Sequence, residues 1–277
     1  MSNTRDFIPI TNDVMFKALF THSNYILENF IASTLNIPQE SIKNIRVLNP
    51  EMPPNFYEGK LTRLDILLET SDDVINIEMQ VSKKEDYKER SLFYWARMYN
   101  DQLKEGENYL QAKKCVCINV LDFKLFECDE YHSEFMSLEK TRHELLTDKM
   151  DIHFLELPKV NKISKESNKS NSLELWMQLF KADSKEELDM LSATTDAIRT
   201  SVNIIYDLSE DEKIREYVRQ REKAAFDYGA DMANAKAKGK YETLANLVIK
   251  GRLTLEEAAE EANVSITEFK EKTGINI

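Results

Sequence analysis

The sequence LDILLETSDDVINIEMQV, residues 64–81, contains two apolar runs separated by a short polar segment. The polar segment is Ser-Asp-Asp at residues 71–73, and each run contains an acidic residue, Asp65 in the first and Glu78 in the second. Apolar runs of this length joined by a polar turn are typical of a β-hairpin. The sequence therefore predicts two adjacent antiparallel strands with an acidic residue in each.

The second strand of this hairpin is predicted to have one polar and one apolar face. Glu78 and Gln80 point to the polar side, roughly 7 Å apart because a strand rises about 3.3 Å per residue. If Asp65 projects to the same side, the two carboxylates form a solvent-facing site for one hard cation. Mg²⁺ binds one or two carboxylates, waters and substrate phosphate oxygens, and the backbone carbonyl of Met79 can complete such a site. The alternative is that both acids are ordinary surface residues.

Other blocks of sequence accompany this hairpin in a fixed order. They are NDVMFKALF (residues 12–20), LDI (64–66), NIEMQ (76–80), ERSLFYWAR (89–97), QLKEG (102–106) and CINVL (117–121). In this order they resemble the Rpn family of recombination-promoting nucleases, also described as putative transposases, within the PD-(D/E)XK nuclease superfamily. The resemblance implies an α/β fold with a PD-(D/E)XK restriction-endonuclease-like core, in which helices flank a mixed central sheet.

The same resemblance implies roles for individual residues. Asp65 and Glu78 would bind a divalent cation, Mg²⁺ or another such as Mn²⁺ or Ca²⁺, together with the Met79 carbonyl. Gln80 would orient the attacking water in the hydrolysis of DNA. Asp13 is a secondary candidate for the metal site, and its alternative role is a favourable charge in the first turn of a helix that Asn12 or Thr11 caps.

Two residues depart from the superfamily pattern. Leu64 stands where the motif has Pro, and Gln80 stands where most members have Lys. A neutral amide can orient a water but cannot offset a developing negative charge as an ammonium does. The Rpn pattern itself has Glu-x-Gln, so activity is still expected, and a nearby lysine could supply the charge. The candidates for that role are Lys60, Lys83 and Lys84.

A long helix is predicted over residues 86–103, directly after the Glu78 strand. Its spacing predicts one apolar stripe and an opposite polar stripe. The apolar stripe comprises Leu92, Ala96, Tyr99 and Leu103, and the polar stripe comprises Arg90, Tyr94, Arg97 and Asp101. Arg90 and Arg97, with Lys83 and Lys84 before the helix, are therefore candidates for binding DNA phosphate. The alternative is a solvated helix face.

Composition limits the kinds of partner. The 277-residue chain has 37 basic and 49 acidic side chains, hence a formal net charge of −12. This charge argues against broad non-specific coating of DNA, although a local basic rim can still bring phosphate to a site. Because the sequence lacks both a signal-peptide pattern and an apolar stretch of about 18 residues, we expect a cytoplasmic protein without membrane contact.

The cysteines and histidines indicate no zinc site. Two of the three cysteines, Cys115 and Cys117, lie in an apolar strand pattern that is typical of buried reduced thiols. The spacing of the four histidines does not match that of metal ligands. They are His22, His132, His143 and His153.

The chain is predicted to have two domains. The α/β nuclease-like domain is expected at residues 1–160, a linker or exposed loop at 161–171, and an all-helical region at 172–277. Strands are predicted near residues 45–48, 114–123, 135–138 and 152–157, and C-terminal helices at 173–180, 185–191, 196–206, 210–228 and 241–250.

The last segment, residues 241–277, is predicted to form a helix-turn-helix. Gly251 would end its first helix, Thr254 would cap the second, and Ser265 with Glu268 would form a capping box for the third. Acidic residues crowd these helices and would repel phosphate, which favours structural or oligomer packing over DNA reading. The apolar stripe to be covered comprises Leu244, Leu247, Val248 and Leu255. It predicts a homo-oligomer formed through the C-terminal helices.

These patterns predict a metal-dependent DNA endonuclease in a recombination, mobile-element or phage-defence setting. Two alternatives remain open. The chain could be a catalytically weak nuclease-fold protein that acts as a binding or regulatory partner, or a helical adaptor whose acids only decorate the surface.

Overall fold

The computed structural model describes residues 7–48, 65–163 and 171–275. Within these ranges the chain forms one mixed six-stranded sheet and a series of helices. It divides into two compact units, the first ending at Tyr217 and the second beginning at Val218. Leu64 and Lys60 lie outside the described residues.

The sheet confirms the mixed α/β class expected from the sequence. Its strands are β1 Arg46–Val47, β2 Ile66–Glu69, β3 Asp73–Gln80, β4 Lys114–Leu121, β5 His132–Leu138 and β6 Leu145–Glu156, in the order β1-β2-β3-β4-β6-β5. Strand β4 is parallel to both β3 and β6, and the other neighbours are antiparallel. The predicted hairpin is present, with Ile66 opposite Ile77. Cys115 and Cys117 on the central strand β4 are buried free thiols, as predicted.

The helices flank this sheet and then continue to the C-terminal end of the described chain. They are α1 Asp13–His22, α2 Asn24–Leu35, α3 Tyr87–Asn100, α4 Ser172–Lys181, α5 Lys185–Ser192, α6 Asp196–Glu210, α7 Glu212–Ile249, α8 Leu255–Ala262 and α9 Ile266–Thr273. Asn12 caps α1, because its side-chain oxygen accepts hydrogen bonds from the N–H groups of Val14 and Met15.

The main core lies on one face of the sheet and includes helices from both predicted domains. Its centre is an aromatic cluster from α1, α2 and α4, in which Phe20 lies 5.8 Å from Trp176 and 6.0 Å from Phe180 between ring centroids. Helix α6 also packs on α1 and α2. The boundary expected at residue 160 therefore falls inside the first compact unit, because helices α4 to α6 bury their apolar faces in the same core as the sheet.

Helix α3 covers the opposite face, and its predicted apolar stripe is wrong. Leu92 is 49% exposed and Ala96 is also exposed. The buried residues are instead Tyr87, Ser91, Tyr94 and Met98. The hydroxyls of Tyr87 and Ser91 reach the side chain of Asn119 on β4. Because these polar tips find partners, the aromatic and small side chains can pack against the sheet.

The second unit contains α7 from Val218 onward, together with α8 and α9. Helix α7 is continuous and includes the helices predicted at residues 210–228 and 241–250 almost entirely. Thr254 caps α8 in a full capping box with Glu257, and Ser265 caps α9. The apolar stripe expected to join a second chain is largely covered within the unit, where Leu244 and Val248 pack in a common cluster with Ala258, Ala259, Phe269 and Ile275.

None of the helices in the described ranges has the length and apolar character that a membrane crossing needs.

Candidate active site

Asp65 and Glu78 meet at the open end of the β2–β3 hairpin. Asp65 directly precedes β2, and its Oδ2 accepts a hydrogen bond of 2.9 Å from the backbone N–H of Met79. The backbone N–H of Asp65 in turn donates to Glu78 Oε1 at 3.3 Å. The antiparallel pairing thus fixes the two carboxylates next to each other through the backbone of both strands, as the hairpin pattern predicted.

The expectation that this site faces solvent is wrong for Glu78, which is 4% exposed. The polar side of β3 is covered, because β4 pairs in parallel along the whole strand and Tyr87 of α3 is buried above the same face. Asn76, two residues before Glu78, is also buried and donates from Nδ2 to Glu78 Oε1 at 3.2 Å. Polar residues at every second position of this strand therefore indicate a buried polar pocket.

Burial makes both carboxyl groups weaker acids than usual. It raises the pKa of Glu78 to about 8, with a further contribution from the negative charge of Asp65. Burial likewise raises the pKa of Asp65 to about 6, against the opposing hydrogen bond from Met79. The protein alone therefore does not supply enough positive charge to keep both carboxylates ionised at neutral pH. Shifted pKa values of this size in neighbouring carboxyl groups are typical of functional sites.

Sequence comparison agrees with this geometry. The family model for PD-(D/E)XK nuclease family transposases matches residues 10–235, which include both acids and most of the chain. The chain belongs to this family. No curated protein and no solved structure matches it. The match confirms the family resemblance and the fold class drawn from the sequence, and it makes the protein a member of a nuclease family.

In this PD-(D/E)XK family member the start of α1 also approaches the acids. The charge of Asp13 raises the pKa of Asp65, whereas the charge of Lys17 lowers it, both smaller effects than burial. Sequence reasoning named Asp13 but missed Lys17. The signal was available, because the two residues are four apart in the block NDVMFKALF and share one face of the helix.

The two candidate arginines lie in different surroundings. Arg90 is half-buried, its positive charge acts on both Asp65 and Glu78, and its Nε donates to the hydroxyl of Tyr94 at 2.6 Å. Arg97 is exposed, forms an ion pair with Asp101 at 3.5 Å, and lines a separate cavity of about 330 Å³. The structure therefore brings Arg90, but not Arg97, to the acidic pair.

The remaining candidates lie just after Glu78. Gln80 is partly exposed at the end of β3, and its Nε2 donates to the carbonyl of Ser82 at 3.1 Å. Lys83 is exposed and donates to the carbonyl of Lys124 at 2.8 Å. Lys84 is exposed in the same loop. Both lysines therefore lie in the loop that follows the strand carrying Glu78.

A chain of hydrogen bonds joins α3 to the sheet next to the acids. The Tyr87 hydroxyl donates to Asn119 Oδ1 at 3.1 Å, and Asn119 Nδ2 donates to the carbonyl of His153 at 3.0 Å. Burial raises the pKa of Tyr87, and so does the negative charge of Glu78. Tyr87 therefore keeps its proton and links α3 to the sheet beside the pocket.

Proposed function

We propose that this protein is a metal-dependent endonuclease that hydrolyses phosphodiester bonds in DNA. The observation that carries the proposal is the pair of partly buried Asp65 and buried Glu78, held together by reciprocal hydrogen bonds between their strands. Membership of a nuclease family supports the reaction class. DNA as the substrate and the requirement for a metal are parts of the proposal.

The donor set fits a hard divalent cation. Both donors that reach Glu78 from the described residues go to Oε1, so Oε2 is the oxygen that would bind a cation. The N–H of Met79 points to Asp65, and in an extended strand the carbonyl of the same residue faces the same side. Asp65, Glu78 and the Met79 carbonyl would therefore hold Mg²⁺ or another ion such as Mn²⁺ or Ca²⁺, with Asp13 near enough to add charge.

A divalent ion in this position would polarise the scissile phosphate and lower the pKa of a bound water. Residues of the chain would orient the attacking water and bind the phosphate. The amide nitrogen of Gln80 is held by Ser82, so its oxygen can accept a hydrogen bond from the attacking water and orient it. Arg90 would bind a phosphate oxygen, and the pocket walls of β4 and α3 limit the access of bulk water.

Lys17 would supply the ammonium that Gln80 does not. In a water-excluded site a fixed positive charge next to the reacting phosphate stabilises the charge that develops in the transition state. The charge of Lys17 already acts on Asp65 in this structure. We therefore assign to α1 the electrostatic role that the commoner Lys of the motif has on the strand.

The wider setting is inferred from the family name alone. The description of the family as transposases suggests recombination or a mobile element, and phage defence and a cytoplasmic location are further parts of the proposal. Assembly through the C-terminal helices remains a proposal, now based on exposed apolar residues of α7 such as Phe226, which is 77% exposed. Light scattering of the full chain and a Phe226→Lys variant tests it, with a smaller mass expected for the variant.

The experiment that tests the function is cleavage of supercoiled plasmid with Mg²⁺ and with EDTA. Asp65→Asn should lose cleavage and keep its fold, because asparagine can still accept the hydrogen bond from Met79. Asp72→Asn in the exposed turn of the same hairpin is the matched control and should cut as well as wild type. Failure of wild type to cut, with Mg²⁺ binding intact, would favour the catalytically weak binding partner instead.

A further inference from the structure

A second polar cluster lies on the other face of the sheet. Partner residues on adjacent strands share a face, so Glu78, Asn119 and Phe154 point to the α3 side. His153 precedes Phe154 and points to the opposite side. Pairing of β5 with β6 places Glu134 directly opposite His153 and brings His132 Nε2 to 2.9 Å from His153 Nδ1. The sequence spacing of the histidines gave no sign of this contact, because it depends on the pairing of two strands.

Three side chains in this cluster have ligand spacing. Glu134, Asp151 and His153 each offer one atom, and all three atoms lie within 4.8 Å of one another. Asp151 Oδ1 and His153 Nε2 are 3.0 Å apart. Two ligands of one ion with bonds of about 2.1 Å are separated by roughly 3.0 to 3.4 Å. The spacing therefore suits a shared ion.

The same two atoms are buried and interact mainly with each other. Asp151 is 4% and His153 is 1% exposed. They form an ion pair with each other, but no described residue gives Asp151 Oδ1 or His153 Nε2 a hydrogen bond of good geometry. Buried polar atoms are almost always satisfied, so this pair calls for a further partner. A cation between them and Glu134 would supply it.

The surrounding residues match the outer layer of a metal site. Lys114 Nζ holds the other oxygen of Asp151 at 2.7 Å, which fixes the carboxylate. If an ion binds His153 Nε2, the ring proton stays on Nδ1. This N–H can then donate a hydrogen bond to His132 Nε2, which lies 2.9 Å away.

A route from solvent also exists. His132 and Glu134 line a cavity of about 790 Å³, whose other walls come mainly from the end of α2 and the start of α4. Glu134 is exposed, whereas Asp151 and His153 lie behind it. An ion can therefore enter through this cavity and retain water as a further ligand.

We propose that Glu134, Asp151 and His153 bind a transition-metal ion of the Zn²⁺ class, with His132 as a positioning residue. An imidazole ligand favours Zn²⁺ over Mg²⁺, whereas the acidic pair at Asp65 offers oxygen ligands. The two sites lie on opposite faces of the sheet and differ in the type of ligand atom that they offer. The proposal does not depend on the nuclease activity.

The test is calorimetric titration of metal-free, full-length protein with Zn²⁺ in the presence of saturating Mg²⁺, which occupies the oxygen site. One Zn²⁺ per chain is expected. Glu134→Gln should weaken Zn²⁺ binding at least tenfold, and because Glu134 is exposed this variant should fold. Glu144→Gln, an exposed glutamate in the same β5–β6 hairpin, is the matched control and should bind normally.

Two further readouts separate ligands from structural residues. His132→Asn should weaken Zn²⁺ binding by about ten- to a hundredfold, as loss of an outer-layer partner does. Co²⁺ as a spectroscopic probe should give visible absorption bands that Glu134→Gln shifts and Glu78→Gln leaves unchanged. Absence of Zn²⁺ binding under Mg²⁺, or equal Zn²⁺ affinity in the wild type and Glu134→Gln, would overturn the proposal and leave an Asp151–His153 ion pair.

Discussion

Replacement of Glu78 by glutamine is expected to stabilise the metal-free fold and to abolish cleavage. Burial raises the pKa of Glu78 to about 8 from an ordinary value of 4.5. The folded chain therefore holds more protons than the unfolded chain between these two values. The free energy of unfolding consequently falls as the pH rises through this window. Glutamine is neutral at every pH and still offers an oxygen to Asn76 and to the N–H of Asp65.

The magnitude follows from the shift. At pH 7 the carboxyl of Glu78 lowers the free energy of unfolding of the metal-free protein by about 3 kcal/mol. The reason is that pH 7 is about 2.5 units above the ordinary pKa of the group, and each unit corresponds to about 1.36 kcal/mol. At pH 5 the corresponding cost is about 1 kcal/mol. Glu78→Gln should therefore raise the free energy of unfolding by roughly these amounts, and Mg²⁺ should reduce the difference because it stabilises only the wild type.

Urea denaturation at pH 5 and pH 7 in EDTA measures this effect. Glu69→Gln is a useful control, because hydrogen bonds from Lys113 and Arg46 lower the pKa of Glu69 and its loss should act in the opposite direction. Equal or lower stability of Glu78→Gln at both pH values would refute the reasoning, since it would mean that the carboxyl is not strained by burial.

Four further changes test the site, each by a single assay. Lys17→Met should slow Mg²⁺-dependent cleavage about a hundredfold with unchanged Mg²⁺ affinity, and an unaltered single-turnover rate would exclude Lys17 from catalysis. Gln80→Lys should keep or raise the rate, and a collapse would show that the amide has its own role. Arg90→Ala should reduce the salt slope of DNA binding by about one. Arg97→Ala should leave that slope unchanged, because Arg97 pairs with Asp101.

Local pattern predicted the parts of the fold that depend on neighbouring residues. The alternation in residues 75–80 and the polar turn before it gave the hairpin and placed Asp65 beside Glu78. Asn12 and Thr11 were the two predicted caps of α1, and Asn12 is the cap because its side chain bonds N–H groups within the first turn. In each case the interaction that decides the structure lies within a few residues or one hairpin.

The errors arose where distant segments meet. Burial of Glu78 depends on β4 and α3, neither of which the strand pattern reveals. Hydrophobicity alone predicts that Leu92 lies in the core. In the structure Tyr94 and Ser91 pack inward instead, because their hydroxyls have hydrogen-bond partners. His132 and His153 are 21 residues apart and meet only because β5 pairs with β6.

The extent of the first compact unit was missed for the same reason. Polar residues at 161–171 suggested a domain boundary. The aromatic face of α4 nevertheless returns to α1 and α2, where Trp176 also donates a hydrogen bond to Asn29 at 2.9 Å. A helix whose partners precede it by about 150 residues gives no local sign of where it packs.

The most direct test of the central claim is the single-turnover cleavage rate of DNA by wild type and Glu78→Gln as Mg²⁺ is increased. If Asp65 and Glu78 hold the catalytic ion, the wild-type rate should rise to a plateau with Mg²⁺ and the folded variant should remain near the EDTA background at every concentration. A variant that reaches the wild-type plateau would contradict the assignment of this carboxylate pair.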